Sequence, residues 1–195
     1  MSLTGSTRRL YLVRHGETAW SLSGQHTGTT DLALTEQGEE AAKRLGPPLS
    51  RVAFARVLTS PMRRAGRTCE LAGLGAQATV DADLMEWSYG DYEGLTTEQI
   101  RGRAPGWLLF RDGCPGGESP EAIAARVDRL IMRVRAIDGD VALFAHGHVF
   151  RVLAARWLGL PVIVGRHFLL DTATLSILGY DREVPAVKQW NVALA

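Results

Sequence analysis

Two stretches of this sequence place an imidazole directly before a glycine and directly after an apolar run. Leu10-Tyr11-Leu12-Val13 leads into Arg14-His15-Gly16-Glu17-Thr18, and Val141-Ala142-Leu143-Phe144-Ala145 leads into His146-Gly147-His148. Histidine titrates near neutral pH and serves as base, acid or nucleophile. Arg14 adds a planar, permanently charged fork that suits carboxylate or phosphate. A surface turn also uses Arg, His and Gly, so the tripeptide alone leaves both readings open. Glu86 is the third chemically capable group. It lies among Met85, Trp87 and Tyr89, and a carboxylate beside bulky apolar groups suits general-acid work. A half-exposed loop glutamate would have the same neighbours. Arg63 and Arg64 follow Thr59-Ser60-Pro61, in the first turn of an expected helix. The macrodipole favours acids there, so a bound anion would explain the cations. Extension into solvent explains at least one of them.

Short apolar runs alternating with amphipathic segments must position these groups. The strands expected are Leu10–Val13, Val52–Leu58, Ala78–Val80 and Val141–Ala145, followed by Phe168–Leu170, Thr174–Leu178 and Val187–Trp190. Residues 19–34 are rich in Gly, Ser and Thr and predict an anion-wrapping loop. Thr35 caps a helix to about Leu45, which Gly46-Pro47-Pro48 ends. Ser60 as N-cap and Pro61 as first residue open a helix to Ala72. Thr96 to Gln99 forms a capping box. Ser119-Pro120 starts a long helix to Ile137, with apolar residues at 123, 127, 130, 131 and 134. A further helix spans Phe150 to Leu158. Strands alternating with helices imply an α/β architecture with a mostly parallel sheet, and in open sheets of this kind ligands bind beyond the carboxyl ends of the strands.

The chain of 195 residues suits one sizeable core, a single domain 1–195 without repeats or linkers. The 22 Lys and Arg nearly balance the 21 Asp and Glu, leaving a formal charge of +1. That balance argues against nucleic acid or a membrane surface as partner. All but Lys43 and Lys188 of the cations are arginine, a bias compatible with anion recognition. Cys69 and Cys114 form no CxxC pair. With no signal peptide or membrane span evident, a reducing cytoplasm is expected. His146 and His148 lack a third metal-ligand cluster. His26 and His167 are read either as bordering the pocket or as ordinary loop histidines, the second being favoured.

Arg14-His15-Gly16-Glu17-Thr18, Ser60-Pro61-Met62-Arg63-Arg64-Ala65, Glu86 ahead of Tyr92-Glu93-Gly94-Leu95, and Ala145-His146-Gly147 resemble the histidine phosphatase superfamily, the phosphoglycerate mutase-like group. These motifs cover residues 8 to about 178. GQHTGTTDLALT, EWSYGDYEG, RDGCPGGES, FAHGH and FLLD further resemble sedoheptulose-1,7-bisphosphatases and actinobacterial broad-specificity acid phosphatases. The resemblance implies a three-layer α/β/α fold. It implies His15 as the nucleophile that becomes phosphohistidine and Glu86 as proton donor. Arg14, Arg64 and His146 would form the phosphate pocket, with His146 as a third positive donor. Arg64 rather than Arg63 is matched because it directly precedes Ala65. Ser21, Thr27, Gly28 and Gly147 would border the substrate, with Ser21 standing where mutases usually carry Asn.

Three cationic groups would do the work of a metal, so neither metal nor cofactor is expected. The activity implied is phosphate release from a small phosphorylated substrate, with sugar phosphates or bisphosphates first among these and a ketose bisphosphate favoured. Arg111–Ser119 would form a polar lid. Mutase-type transfer and a non-catalytic binding role are the alternatives, and homo-oligomerisation stays open.

Overall fold

The computed structural model describes residues 8–194, so positions 1–7 and 195 of the expected domain lie outside the described residues. The apolar runs at the two His-Gly sites become β1 (Leu10–Arg14) and β4 (Asp140–Ala145). They pair in parallel, in a register that sets Leu10 opposite Val141 and Arg14 opposite Ala145. Side chains alternate across both strands. Leu10, Leu12, Val141 and Leu143 face one apolar core, while Tyr11, Val13, Ala142 and Phe144 face the other. Such two-faced burial explains why these strands are continuously hydrophobic. Each fully buried Leu or Phe contributes about 1.5–3 kcal/mol.

The remaining strands are β2 (Phe54–Thr59), β3 (Ala78–Val80), β5 (Thr174–Asp181) and β6 (Val184–Ala193). The six-stranded sheet has the order β3-β2-β4-β1-β5-β6. The first four strands are mutually parallel, and β5 runs antiparallel to both β1 and β6. One layer of helices, α2 (Glu36–Arg44), α3 (Gly46–Leu49) and α4 (Arg63–Leu71), covers the Tyr11 face. The opposite face is covered by α7 (Pro120–Arg135) and α8 (Gly147–Trp157). The architecture is thus the mixed α/β sandwich expected. Short helices α1 (Ala19–Ser23), α5 (Thr97–Arg103) and α6 (Leu109–Asp112) lie in the connections at the carboxyl end of the sheet.

Several expected elements differ, each for a local reason. Within the loop read over 19–34, Thr18 and Ser21 form a capping box that opens α1, and Gly24 closes it at φ 78°. Gly46-Pro47-Pro48 ends α2 but opens α3, because proline fits a first helical turn. Ser60 and Pro61 do not start α4. The Ser60 hydroxyl accepts from Met62 N–H, and the helix begins at Arg63, whose N–H donates to Asp31 Oδ1 (2.9 Å). Phe168–Leu170 is not a strand. The Leu169 carbonyl accepts from the Trp190 indole (2.6 Å) and that of Leu170 from Arg14, so side chains replace the ladder.

Two glycines let the chain after β1 approach α2. Thr35 N–H donates to the Glu17 carbonyl and the Thr35 hydroxyl to the Glu17 carboxylate (2.8 Å), while Thr35 also caps α2. A methyl on Gly38 would run into the Glu17 carbonyl oxygen and lie 2.7 Å from Glu17 N. Gly38→Ala should therefore destabilise the protein by about 1–3 kcal/mol, the usual cost of overpacking. Urea unfolding measures it, and an unchanged midpoint would show that the backbone yields freely.

Candidate active site

Because β1 and β4 end in register, the residues that follow them meet at the edge of the sheet. His15 N–H donates to the Ala145 carbonyl (2.9 Å), and the rings of His15 and His146 lie 5.1 Å apart, edge to face. The strand order reverses here, since successive crossovers from β1 and β4 go to opposite sides. That is where open α/β sheets bind ligands. Ser60 follows β2, the other neighbour of β4, and its N–H donates to Phe144 O.

His15 is almost fully buried, at 5% exposure. Its Nδ1 lies 2.7 Å from the Gly16 carbonyl, which can only accept, so Nδ1 carries the proton. The ring lines a cavity of about 170 Å³, with Nε2 left as the free lone pair. Burial, and then the charges of Arg14 and Arg64, push the His15 pKa well below its ordinary value, against the opposing Gly16 hydrogen bond. His15 is neutral.

Arg14 lies on the wall of the same cavity. One terminal nitrogen donates to the Leu170 carbonyl, and its buried Nε is without a hydrogen-bond partner. A buried, unpartnered guanidinium N–H is costly unless an anion meets it. Gly147 leaves room beside it, since a methyl there would sit 3.3 Å from Arg14 Cζ and press on the guanidinium.

Arg64 and His146 are placed behind that wall. Arg64 is fully buried and donates to the carbonyls of Thr27 (3.2 Å), Gly28 (3.0 Å) and Thr30 (2.9 Å), and through Nε to His146 Nδ1 (3.1 Å). Since arginine only donates, His146 Nδ1 is unprotonated, and Nε2–H donates to the Ser60 hydroxyl (2.8 Å). Burial, then Arg64, His15 and Arg14, push the His146 pKa well down. Without bound phosphate His146 is thus a neutral donor, because two guanidiniums already charge the site; the third cation is expected of the phosphate-bound state.

Glu86 is buried and joins the cavity wall. Its carboxylate accepts from Trp87 N–H (2.9 Å), His148 N–H (2.9 Å) and Val149 N–H (2.8 Å). The last two are free N–H groups of the first turn of α8, so Glu86 caps that helix through space. This explains why α8 begins at Gly147 rather than at the expected Phe150. Arg126 of α7 holds the segment carrying Glu86: it donates to the carbonyls of Asp83, Met85 and Glu86 and pairs with Glu118 (2.8 Å). Glu118 also accepts from Ser88 N–H (2.9 Å).

Ser21 and Thr27 border the cavity, whereas Gly28 does not. The Ser21 hydroxyl is used within the α1 cap, accepting from Thr18 N–H and donating to Thr18 O. Gly28 N–H donates to Glu93. Residues 111–119, expected as a lid, line no part of the cavity. Gly117 and Glu118 instead pack against Ser88 and Gly90, which buttresses the Glu86 loop. The cover comes from α1 and from His26, stacked 4.7 Å from Tyr89. Tyr89 OH and His148 Nδ1 share a hydrogen bond (2.6 Å). Arg126 and the Leu170 carbonyl carry no sequence signal of their own, while Ser60 reads only as a helix cap within its motif and Tyr89 only as a neighbour of Glu86. Among the described residues no group of three or more His, Cys, Asp or Glu is arranged to hold a metal ion, and no helix is long and apolar enough to cross a membrane.

Comparison with known proteins bears directly on this geometry. Residues 10–193 match the family model of the histidine phosphatase superfamily, branch 1. An acid phosphatase of Mycobacterium tuberculosis is 42% identical over 180 residues, covering 90% of this chain and 88% of that protein. A sedoheptulose 1,7-bisphosphatase of Saccharomyces cerevisiae is 38% identical over 188 residues, covering 80% of this chain and 69% of that protein. Among solved structures, an open reading frame product of Mycobacterium tuberculosis superposes with a TM-score of 0.91 at 39% identity, covering 95% of this chain and 98% of that one. A mycobacterial glucosyl-3-phosphoglycerate phosphatase, solved with VO3, gives 0.84 at 32% identity, covering 95% and 99%.

The lowered pKa values of His15, His26, His146 and His148 set a stability dependence on pH. Their unfolded values lie near 6.5 and the His26 folded value is about 4. The unfolded chain therefore takes up more protons in that window. Stability is full above pH 6.5 and declines as pH falls toward 4. The urea midpoint should drop across this range, above the main carboxylate titration, and His26→Phe should flatten the slope. A midpoint constant over the window would contradict neutral burial.

Proposed function

The chain belongs to branch 1 of the histidine phosphatase superfamily, and on that footing we propose a mechanism in which His15 carries the phosphoryl group of a small phosphorylated metabolite. The observation that supports it most strongly is a neutral, buried His15 on the cavity wall whose Nδ1–H is tied to Gly16, which leaves the lone pair on Nε2. Phosphatase activity itself is the activity of the family members this chain matches.

The Nε2 lone pair attacks phosphorus as the bond to the ester oxygen breaks. Glu86, protonated beside the bound anionic phosphoryl group, gives its proton to the departing oxygen. Water then attacks the phosphohistidine, Glu86 takes back a proton, and inorganic phosphate leaves with His15 restored. Arg14 contributes the free Nε–H for a phosphoryl oxygen, and Arg64 contributes its buried charge. His146 can turn its Nε2–H from Ser60 to a second oxygen. Phosphoryl transfer needs positioning and charge stabilisation more than covalent help from the protein, and these groups supply both. The depressed His15 pKa keeps the nucleophile unprotonated in mildly acidic solution, which agrees with a relative named acid phosphatase. Water can reach phospho-His15 because residues 111–119 pack elsewhere, which favours hydrolysis over retained transfer. A ketose bisphosphate is the preferred substrate within this reading, on the likeness to the yeast bisphosphatase.

The test is Glu86→Gln, assayed on p-nitrophenyl phosphate and on a sugar phosphate. The wild type should release phosphate from both. The variant should lose about 10²–10⁴-fold on the sugar phosphate, the usual worth of a general acid, and far less on the nitrophenyl ester, whose leaving group departs unprotonated. Equal losses would remove Glu86 from proton transfer.

A further inference from the structure

A second cavity of about 170 Å³ adjoins the first, and His26, His148 and Arg151 line both. Its outer wall includes Thr97 and Arg101 of α5, Trp107 and Arg166. Three guanidiniums therefore converge on one space, and no Asp or Glu lines it. Among the described residues none of the three pairs with a carboxylate. Arg101 Nε donates to Trp107 O (3.1 Å), Arg151 to the carbonyls of Gly165 (3.2 Å) and Arg166 (3.0 Å), and Arg166 Nε to His167 Nε2 (3.0 Å). By contrast Arg9, Arg126 and Arg156 each hold an Asp or Glu. The Arg151 guanidinium carbon lies 4.7 Å from the centre of the Phe110 ring, a cation–π contact.

Like charges gathered without a salt-bridge partner repel one another, so an anion that joins them relieves that repulsion. Planar forks match tetrahedral oxyanions, and three of them suit a dianion better than a single carboxylate. The shared wall is polar and carries Arg151 beside two neutral imidazoles. His148 Nδ1 is engaged by the Tyr89 hydroxyl, and the His26 ring packs beside it at 5.8 Å. A hydroxylated carbon chain could cross there.

We propose that this second cavity seats the distal phosphate of a polyol bisphosphate whose proximal phosphate lies at His15. The inference rests on the phosphatase reading above and adds the residues that select the far end of the substrate: Arg101, Arg151 and Arg166.

The experiment compares kcat/KM for fructose 1,6-bisphosphate and fructose 1-phosphate, with p-nitrophenyl phosphate as a single-anion probe. The wild type should prefer the bisphosphate by about tenfold or more, the scale of charge-assisted hydrogen bonds to one group. Arg101→Ala/Arg166→Ala should collapse that preference toward unity, through KM rather than kcat. Both side chains are exposed, and Arg166→Gln provides a milder second variant that should reduce the preference partly. Turnover of the nitrophenyl ester with no bisphosphate preference in the wild type, or a preference retained in the double variant, would overturn the subsite alone. Failure of the wild type to hydrolyse any of the three would overturn the phosphatase reading and the subsite together.

Discussion

The parallel register of β1 with β4 determines where the site's chemistry can occur. With Arg14 opposite Ala145, the next residues of the two strands are both histidines, and a backbone hydrogen bond from His15 to Ala145 locks them at one level. A slip of one residue would turn every apolar side chain of β1 to the wrong core. The two buried faces of the strand thus enforce the placement of the imidazoles. Ser60, one strand further on, is aligned by the same sheet.

What gathers at that edge is a positive field from two guanidiniums, with Glu86 as the carboxylate on the cavity wall. Arg14 and Arg64 are held by carbonyl oxygens rather than carboxylates, so their charge stays available to a ligand. The same charge and burial keep both histidines neutral, and one guanidinium selects the tautomer of His146. Glu86, the buried carboxylate of the cavity wall, is spent on the first turn of α8, which ties the expected proton donor to the helix that follows His146. Strand register, helix capping and side-chain ionisation therefore fix one another.

Much of this was legible in the sequence because it is local. β1 and β4 are unbroken apolar runs ending at His-Gly, and Ser119-Pro120 does open α7. The groups that resisted reading act across space. Arg126 looks like one more cation on an amphipathic helix, yet it bonds three carbonyls about forty residues away. The Leu170 carbonyl that orients Arg14 has no side-chain signature, and it is also why Phe168–Leu170 forms no strand. The start of α8 depends on Glu86, and that of α4 on Asp31, rather than on residues next to them. Residues 111–119 look like a lid for their Gly and Pro content. Those glycines instead allow close packing: Gly113 and Gly116 adopt positive φ, and a methyl on Gly117 would collide with Ser88 O.

The central claim is that Gly16 fixes the His15 tautomer and so leaves Nε2 as the attacking atom. Phosphorus NMR of the enzyme, denatured in base during turnover of p-nitrophenyl phosphate, tests it directly. The account predicts a base-stable phosphohistidine substituted at Nε2, carried by His15 and absent from His15→Ala. Phosphate attached at Nδ1, or a label that persists in the variant, would contradict it.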